Sequence, residues 1–173
     1  GLQHYAMGRT FEIAVVDAAR GMGNGFMLPA GPLREAVSRL DEVDAVVRLH
    51  GASGHSSARS SPRESTMSLV GDSFVRVDKP SLVAASSSFR HAGVHALAGI
   101  GNPERFFEQL RSLGIDATCH AFPDHYRFLP ADLAIAGATA ILMTEKDAVK
   151  CVAFADDRCW ALPVRAAIDP SLV

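Results

Sequence analysis

Two short polar runs in this chain combine residue types able to do chemistry. Thr144-Glu145-Lys146-Asp147 follows the apolar run Ala138-Thr139-Ala140-Ile141-Leu142-Met143 and precedes Ala148-Val149-Lys150. Asp124-His125 follows Phe122-Pro123 at the end of a second apolar run. Two acids and a lysine on one turn exceed what helix capping needs, and they could contact a charged ligand. An imidazole beside a carboxylate suits proton transfer, because either group can orient the other or stabilise its ionised form. Each run also has a plain structural reading: a capped helix with a surface ion pair, and an exposed turn histidine.

The elements that would position these groups are those of an α/β protein. Residues 138–143 are short and apolar enough for a strand covered on both faces, and Thr144 with Asp147 is a capping pair for the helix that follows. Strand, polar turn and helix is where α/β folds place ligands, at the carboxyl ends of parallel strands. Val94–Ala98 reads as another strand, Gly99-Ile100-Gly101 as a turn, and Asn102-Pro103-Glu104 as a helix start, with Asn as cap and Pro in the first turn. Phe106, Phe107, Leu110 and Leu113 then share one helical face up to Gly114. Ile115–Phe122 reads as a strand, 132–136 as a short helix, 148–154 as a helix and Cys159–Val164 as a last strand of a parallel or mixed sheet. A parallel sheet brings Asp124-His125 into the same crevice as the 144–147 turn.

Upstream, Phe11–Asp17 and Asp44–Leu49 read as strands. Between them lie the glycine-rich turn Gly21-Met22-Gly23-Asn24-Gly25, the proline-braced stretch Leu28–Glu35 and a short helix over 36–40. Residues 51–66 have the Ser, Gly, His and Arg composition of a connection. Met67–Val70 and Ser73–Val77 around Gly71-Asp72 read as a hairpin. The expected organisation is a first part over 1–50, a linker of Ser-rich loop and β-hairpin over 51–80, and an α/β domain over 81–173.

Composition bounds the function. The 173 residues are 48% hydrophobic and 21% charged with net charge −2, enough for a buried core and without the basic excess a duplex nucleic-acid surface calls for. No nucleic-acid partner is expected. Cys119, Cys151 and Cys159 form no C-x-x-C pair, which points to neither a disulfide framework nor a zinc site and fits a reducing compartment. No run is long and apolar enough for a membrane span, and no signal-peptide pattern appears. Glu104 stands where a dinucleotide-binding turn Gly99-x-Gly101 needs its third glycine, and a carboxylate there repels a pyrophosphate. No G-x-x-x-x-G-K-[S/T] phosphate loop occurs. His91 and His95 have metal-ligand spacing only if both lie on a helix, and His95 belongs to a strand.

Six runs in order resemble one family. Gly1-Leu2-Gln3-His4, Gly23-Asn24-Gly25, Leu28–Glu35, Ala98-Gly99-Ile100-Gly101-x-Pro103-Glu104-Arg105-Phe106-Phe107, Phe122-Pro123-Asp124-His125 and Met143–Lys150 together resemble the tetraacyldisaccharide 4'-kinases, the lipid A 4'-kinases. The resemblance implies a P-loop kinase that spends MgATP to phosphorylate the 4' hydroxyl of tetraacyldisaccharide 1-phosphate, giving lipid IVA, peripherally on the cytoplasmic face of the Gram-negative inner membrane. It implies a P-loop-kinase family fold, here the remnant of an N-terminal α/β domain plus a smaller Rossmann-like α/β domain. ATP and Mg²⁺ would be bound mainly by a preceding part carrying the phosphate loop, the metal-handling Asp-Asp, a catalytic aspartate and the membrane contact. The intact enzyme would be active, and the present piece alone inactive.

By position, the resemblance places Gln3 and His4 near nucleotide and metal, and Arg34 and Glu35, with Asn24 on the neighbouring turn, along the substrate cleft. His125 would pair with the aspartate of the preceding part to activate the sugar hydroxyl, with Asp124 orienting it. Glu145, Lys146 and Asp147 would serve the substrate side of the cleft. Ala36, where a proline often follows Arg-Glu, and His50, where Asn-Gly more usually stands, depart from the family pattern. The alternative is a non-catalytic lipid-binding module or a degenerate remnant of such a kinase.

Overall fold

The computed structural model describes residues 6–50 and 64–168 of the chain. Gln3, His4 and most of the Ser-rich stretch lie outside the described residues. The chain divides into two compact units, Gly1–Leu69 with Ala166–Val173, and Val70–Arg165.

The first unit is built on strands β1 (Ile13–Asp17), β2 (Ala45–His50) and β3 (Glu64–Val70), which run parallel in that order, with β10 (Arg165–Ile168) beside β3. Ala45, Val46 and Val47 are buried in succession, as a strand covered on both faces requires. In β1 only alternate residues, Ala14 and Val16, are buried, while Ile13 and Val15 face outward. Ala14, Val16, Val43 and Val46 make the core, with Met22 and Leu40 packed on it. The short helix expected over 36–40 is a 3₁₀ turn, Val37–Asp41, with no side-chain cap and no buried residue. With only Leu40 packed on the core and no fully buried residue, so short a segment closes with the tighter bond pattern.

The second unit is a six-stranded mixed sheet in the order β5-β4-β9-β8-β6-β7. Its strands are β4 (Ser73–Arg76), β5 (Val83–Ala85), β6 (Val94–Ala98), β7 (Thr118–Ala121), β8 (Ala140–Thr144) and β9 (Cys159–Leu162). The four strands β9, β8, β6 and β7 are parallel, and β4 runs antiparallel to β9 and β5. Strand alternation divides the apolar residues between two cores. Ala140 and Leu142 of β8 join Val94, Ala96 and Ala98 of β6 against Phe106, Phe107 and Leu110 of helix α1 (Pro103–Ser112). Ile141 and Met143 join Leu97 on the opposite face, against Leu133 of α2 (Pro130–Leu133), Ala148 and Cys151 of α3 (Glu145–Cys151), and Phe128. Asn102 holds the cap position of α1 but its side chain makes no capping bond, so Pro103 is what starts this helix.

The hairpin expected across Gly71-Asp72 does not form. The strands on either side of it enter different sheets, β3 beside β2 and β4 beside β9. Gly71 serves close packing: a Cβ there would stand 2.2 Å from the Pro163 carbonyl oxygen. The glycine is required by a distant backbone, a demand that local turn chemistry does not reveal.

Candidate functional site

Because β6, β7 and β8 are parallel neighbours, the segments leaving their carboxyl ends emerge along one edge of the sheet. These are Gly99–Asn102 after β6, Phe122–Tyr126 after β7, and the start of α3 after β8. The edge joins the two polar runs: Lys146 Nζ lies 3.4 Å from Asp124 Oδ1. Asp124 Oδ1 also accepts the His125 backbone N–H at 3.0 Å, and Asp124 Oδ2 lies 3.7 Å from His125 Nε2. All three side chains are solvent-accessible, His125 the most so at 76%.

His125 has φ of 61°, and it alone among the described non-glycine residues has a positive φ. A left-handed backbone at a residue with a Cβ stores strain of about 1 kcal/mol or more, and such strain gathers at working sites. Burial pushes the Asp124 carboxyl up, but the His125 imidazole, the Lys146 ammonium and the His125 amide outweigh it and hold the carboxyl below the usual carboxylate range.

Beneath this exposed group lies a buried one. Thr144 caps α3, its Oγ accepting the Asp147 N–H at 3.2 Å. The Asp147 carboxylate, which a reciprocal capping box would return to the Thr144 backbone, turns instead toward the β6 loop. Its Oδ2 accepts the Gly99 N–H at 3.0 Å and the Thr144 hydroxyl at 2.8 Å, and its Oδ1 takes Lys150 Nζ at 2.7 Å. Asp147 is 0% exposed. Expected with Glu145 and Lys146 on the substrate side, it is bonded wholly to the chain's own groups under the turn. Glu145 is exposed, and its Oε2 accepts the Val164 N–H at 3.2 Å.

Lys150 was not singled out from sequence. It closes the buried group, reaching the Gly99 carbonyl at 3.4 Å and lying over the Phe128 ring, 5.5 Å from its centroid. Its position three residues after Asp147 was the available signal, since that spacing puts both on one helical face. Phe122, Tyr126 and Phe128 pack tilted or edge-to-face around the loop with ring centroids 4.6 to 5.2 Å apart.

In the first unit, the Asn24 side chain organises the turn that follows it. Its Nδ2 donates to the Ala30 carbonyl at 2.9 Å and its Oδ1 accepts the Phe26 N–H at 3.1 Å. Gly31 lies so close that a Cβ would stand 2.2 Å from Asn24 Oδ1. Arg34 is exposed, and Glu35 lies 3.6 Å from Arg39 Nε. Arg39 also pairs with Glu12 at 2.8 Å and Glu42 at 3.3 Å, and Glu12 pairs with Arg9. An open pocket of about 670 Å³ lies along β1, lined by Arg9, Glu12, Asp17 and Met22 among others. Among the described residues, none of those expected at the site lines it.

His91 and His95 do not share a ligand position. His95 Nδ1 meets His120 Nε2 at 3.0 Å across β6 and β7, whereas His91 faces Thr139 Oγ at 3.4 Å. Among the described residues no three His, Cys, Asp or Glu side chains converge as metal ligands.

The chain's likeness to known proteins extends over its whole length. The family model LpxK, tetraacyldisaccharide-1-P 4'-kinase, matches residues 1–173. The tetraacyldisaccharide 4'-kinase of Azoarcus sp. is 52% identical over 97% of this chain and 49% of its own length. That of Dechloromonas aromatica is 49% identical over 100% of this chain and 51% of its own. The chain thus spans about half the length of the curated relatives it matches. Among solved structures, the "apo" form of LpxK from Aquifex aeolicus in complex with ATP shares the fold, with a TM-score of 0.69 at 23% identity over 98% of this chain and 52% of that one. The chain belongs to the tetraacyldisaccharide 4'-kinase family.

Proposed function

We propose that this chain supplies half of a 4'-kinase that transfers the γ-phosphoryl group of ATP to the 4' hydroxyl of tetraacyldisaccharide 1-phosphate, giving lipid IVA. The observation that carries the reading is the gathering of Asp124, His125 and Lys146 at one sheet edge, in a chain whose every part matches the family.

In this reaction the sugar O4'–P bond forms, the bond from the γ-phosphorus to the bridging oxygen of ADP breaks, and the hydroxyl proton must leave. Phosphoryl transfer asks a protein for positioning, charge compensation and one group to receive that proton. His125 is the group for the proton, directly or through a carboxylate of the other half. Asp124 bonds the His125 backbone amide and fixes the turn on which the imidazole stands. Lys146 brings positive charge beside the pair. Arg34 and Glu35 line the acceptor side, with Asn24 fixing the loop before them.

MgATP is the phosphoryl donor, its metal neutralising charge on the transferred group. The described residues do not by themselves make a Mg²⁺ site, and Gln3 and His4 lie outside them. In this reading donor binding falls mainly to the other half, with Gln3 and His4 of this chain beside the nucleotide and metal, and contact with the inner membrane falls to the other half. Among the described residues no helix is long and apolar enough to cross a membrane.

The test joins this chain to the remaining half of such a kinase, its own or that of the Azoarcus relative. Transfer of label from γ-labelled ATP to the lipid is then measured. Labelled lipid IVA is the expected product. Lipid binding without transfer would replace the kinase reading with that of a binding module.

A further inference from the structure

We propose that Asp147, seconded by Lys150, is a positioning residue that sets the Asp124–His125 turn by clamping both sides of Gly99. The inference rests on the kinase reading for its effect on turnover, but not for its geometry.

Gly99 is held at both of its polar atoms. Its N–H donates to Asp147 Oδ2 at 3.0 Å, and its carbonyl oxygen lies 3.4 Å from Lys150 Nζ. The two clamping side chains are joined to each other at 2.7 Å, so the loop is bonded to one closed pair. A charged pair is seldom buried for stability alone, because desolvation offsets most of its attraction. Here the carboxylate is fully buried and gives one oxygen to a backbone amide 48 residues away.

The held loop is the floor of the Asp124–His125 turn. A Cβ on Gly99 would stand 3.2 Å from Tyr126 Cβ and 3.2 Å from the Phe128 ring, and Tyr126 follows His125 directly. A Cβ on Gly101 would stand 3.4 Å from Asp124 Oδ2. Two residues with no side chains thus let the turn settle against the loop, and a shift of the loop passes to the turn without slack. Helix α3 then does two jobs. Exposed Lys146 meets Asp124 from solvent, while buried Asp147 and partly buried Lys150 set the height of the surface on which Asp124 rests.

The experiment compares Asp147→Ala, Asp147→Asn and Lys150→Met in the assembled kinase. It reads kcat, KM for the lipid, and the Asp124 carboxylate titration by ¹³C NMR. A misplaced catalytic turn lowers kcat without weakening ground-state binding, so Asp147→Ala is expected to lose about 30-fold or more in kcat with lipid KM within about threefold. Asparagine keeps an oxygen for the Gly99 N–H and should recover about tenfold of that loss. Lys150→Met removes the partner of the Gly99 carbonyl and should cost about fivefold or more in kcat.

The Asp124 titration should move in both Asp147→Ala and Lys150→Met. Loss of the Asp147 charge alone would lower the Asp124 titration and loss of the Lys150 charge alone would raise it, whereas a turn that loses its His125 and Lys146 contacts raises it in both, so an upward shift in Asp147→Ala reports geometry. If Asp147→Ala does not fold, Lys150→Met decides. Wild-type kcat and an unmoved Asp124 titration in Lys150→Met overturn the proposal, as does an alanine variant in which only the melting temperature falls. A wild-type protein without turnover overturns the kinase reading instead, and the Asp124 titration still decides the clamp.

Discussion

At the scale of single residues, His125 combines exposure with a backbone conformation that costs energy. Glycine adopts a φ of 61° freely and histidine does not. His125→Gly is therefore expected to stabilise the protein by about 0.5–1 kcal/mol while removing the imidazole, a gain in stability against a loss of activity. Denaturant unfolding beside the transfer assay checks both, and an unchanged or lowered stability would mean that the turn is not strained. Asp124 has its own signature. Its folded-state carboxyl is held below its ordinary range, so whatever stability it contributes is present above the unfolded value and lost as pH falls through the folded one. Lys146→Met should move its ¹³C titration midpoint upward, toward the ordinary carboxylate value; an unmoved midpoint would mean that the 3.4 Å contact carries no electrostatic weight in solution. The pairing of Asp124 with the 144–147 turn was legible in the sequence, since it followed from strands being parallel. The positive φ of His125 was not, because a turn after proline is compatible with several backbone paths.

At the scale of elements, the βα turns carry the site and glycine decides how closely they pack. Gly99→Ala would press a methyl group against Tyr126 and Phe128 at 3.2 Å, a contact that flexible side chains relieve only in part. A loss of about 1–3 kcal/mol is expected, measured as a fall in melting temperature. The Thr144 cap was readable from its spacing to Asp147, and Thr144→Ala should cost about 1 kcal/mol. What spacing could not reveal is where the Asp147 carboxylate goes, because its partner Gly99 arrives from another strand and is placed only by the sheet. The same limit explains the misread hairpin. Gly-Asp between two β-forming runs has the chemistry of a tight turn, yet Gly71 answers to Pro163, far off in sequence. Local reading succeeded where period settles an element, as in β6, β8 and the apolar face of α1, or where a cap does, as at Thr144 of α3, and failed where one glycine serves a distant chain.

At the scale of the whole molecule, the thiols report on folding of the second unit. Burial pushes Cys151 up to about 11 and Cys159 up to about 12; it raises the Cys119 thiol as well, but that side chain alone of the three is exposed. A thiol reagent at pH 8 should find Cys119 alone in the folded chain and all three cysteines after unfolding. Rapid modification of Cys151 or Cys159 in the native protein would contradict the packing around α3 and β9. Ordered sequence runs were enough to recognise the family and a mixed α/β fold, because the runs among the described residues lie at loops and helix starts, whose residue types the fold constrains. The clamp beneath those turns needed three-dimensional neighbours to be seen. The most direct test of the account is the kinetics of His125→Ala in the assembled kinase. A fall in kcat of about a hundredfold or more is expected while KM for the lipid stays within about threefold, as befits a group that takes part in the transition state. An unchanged kcat with a raised KM would make His125 a binding residue and contradict the role given to it.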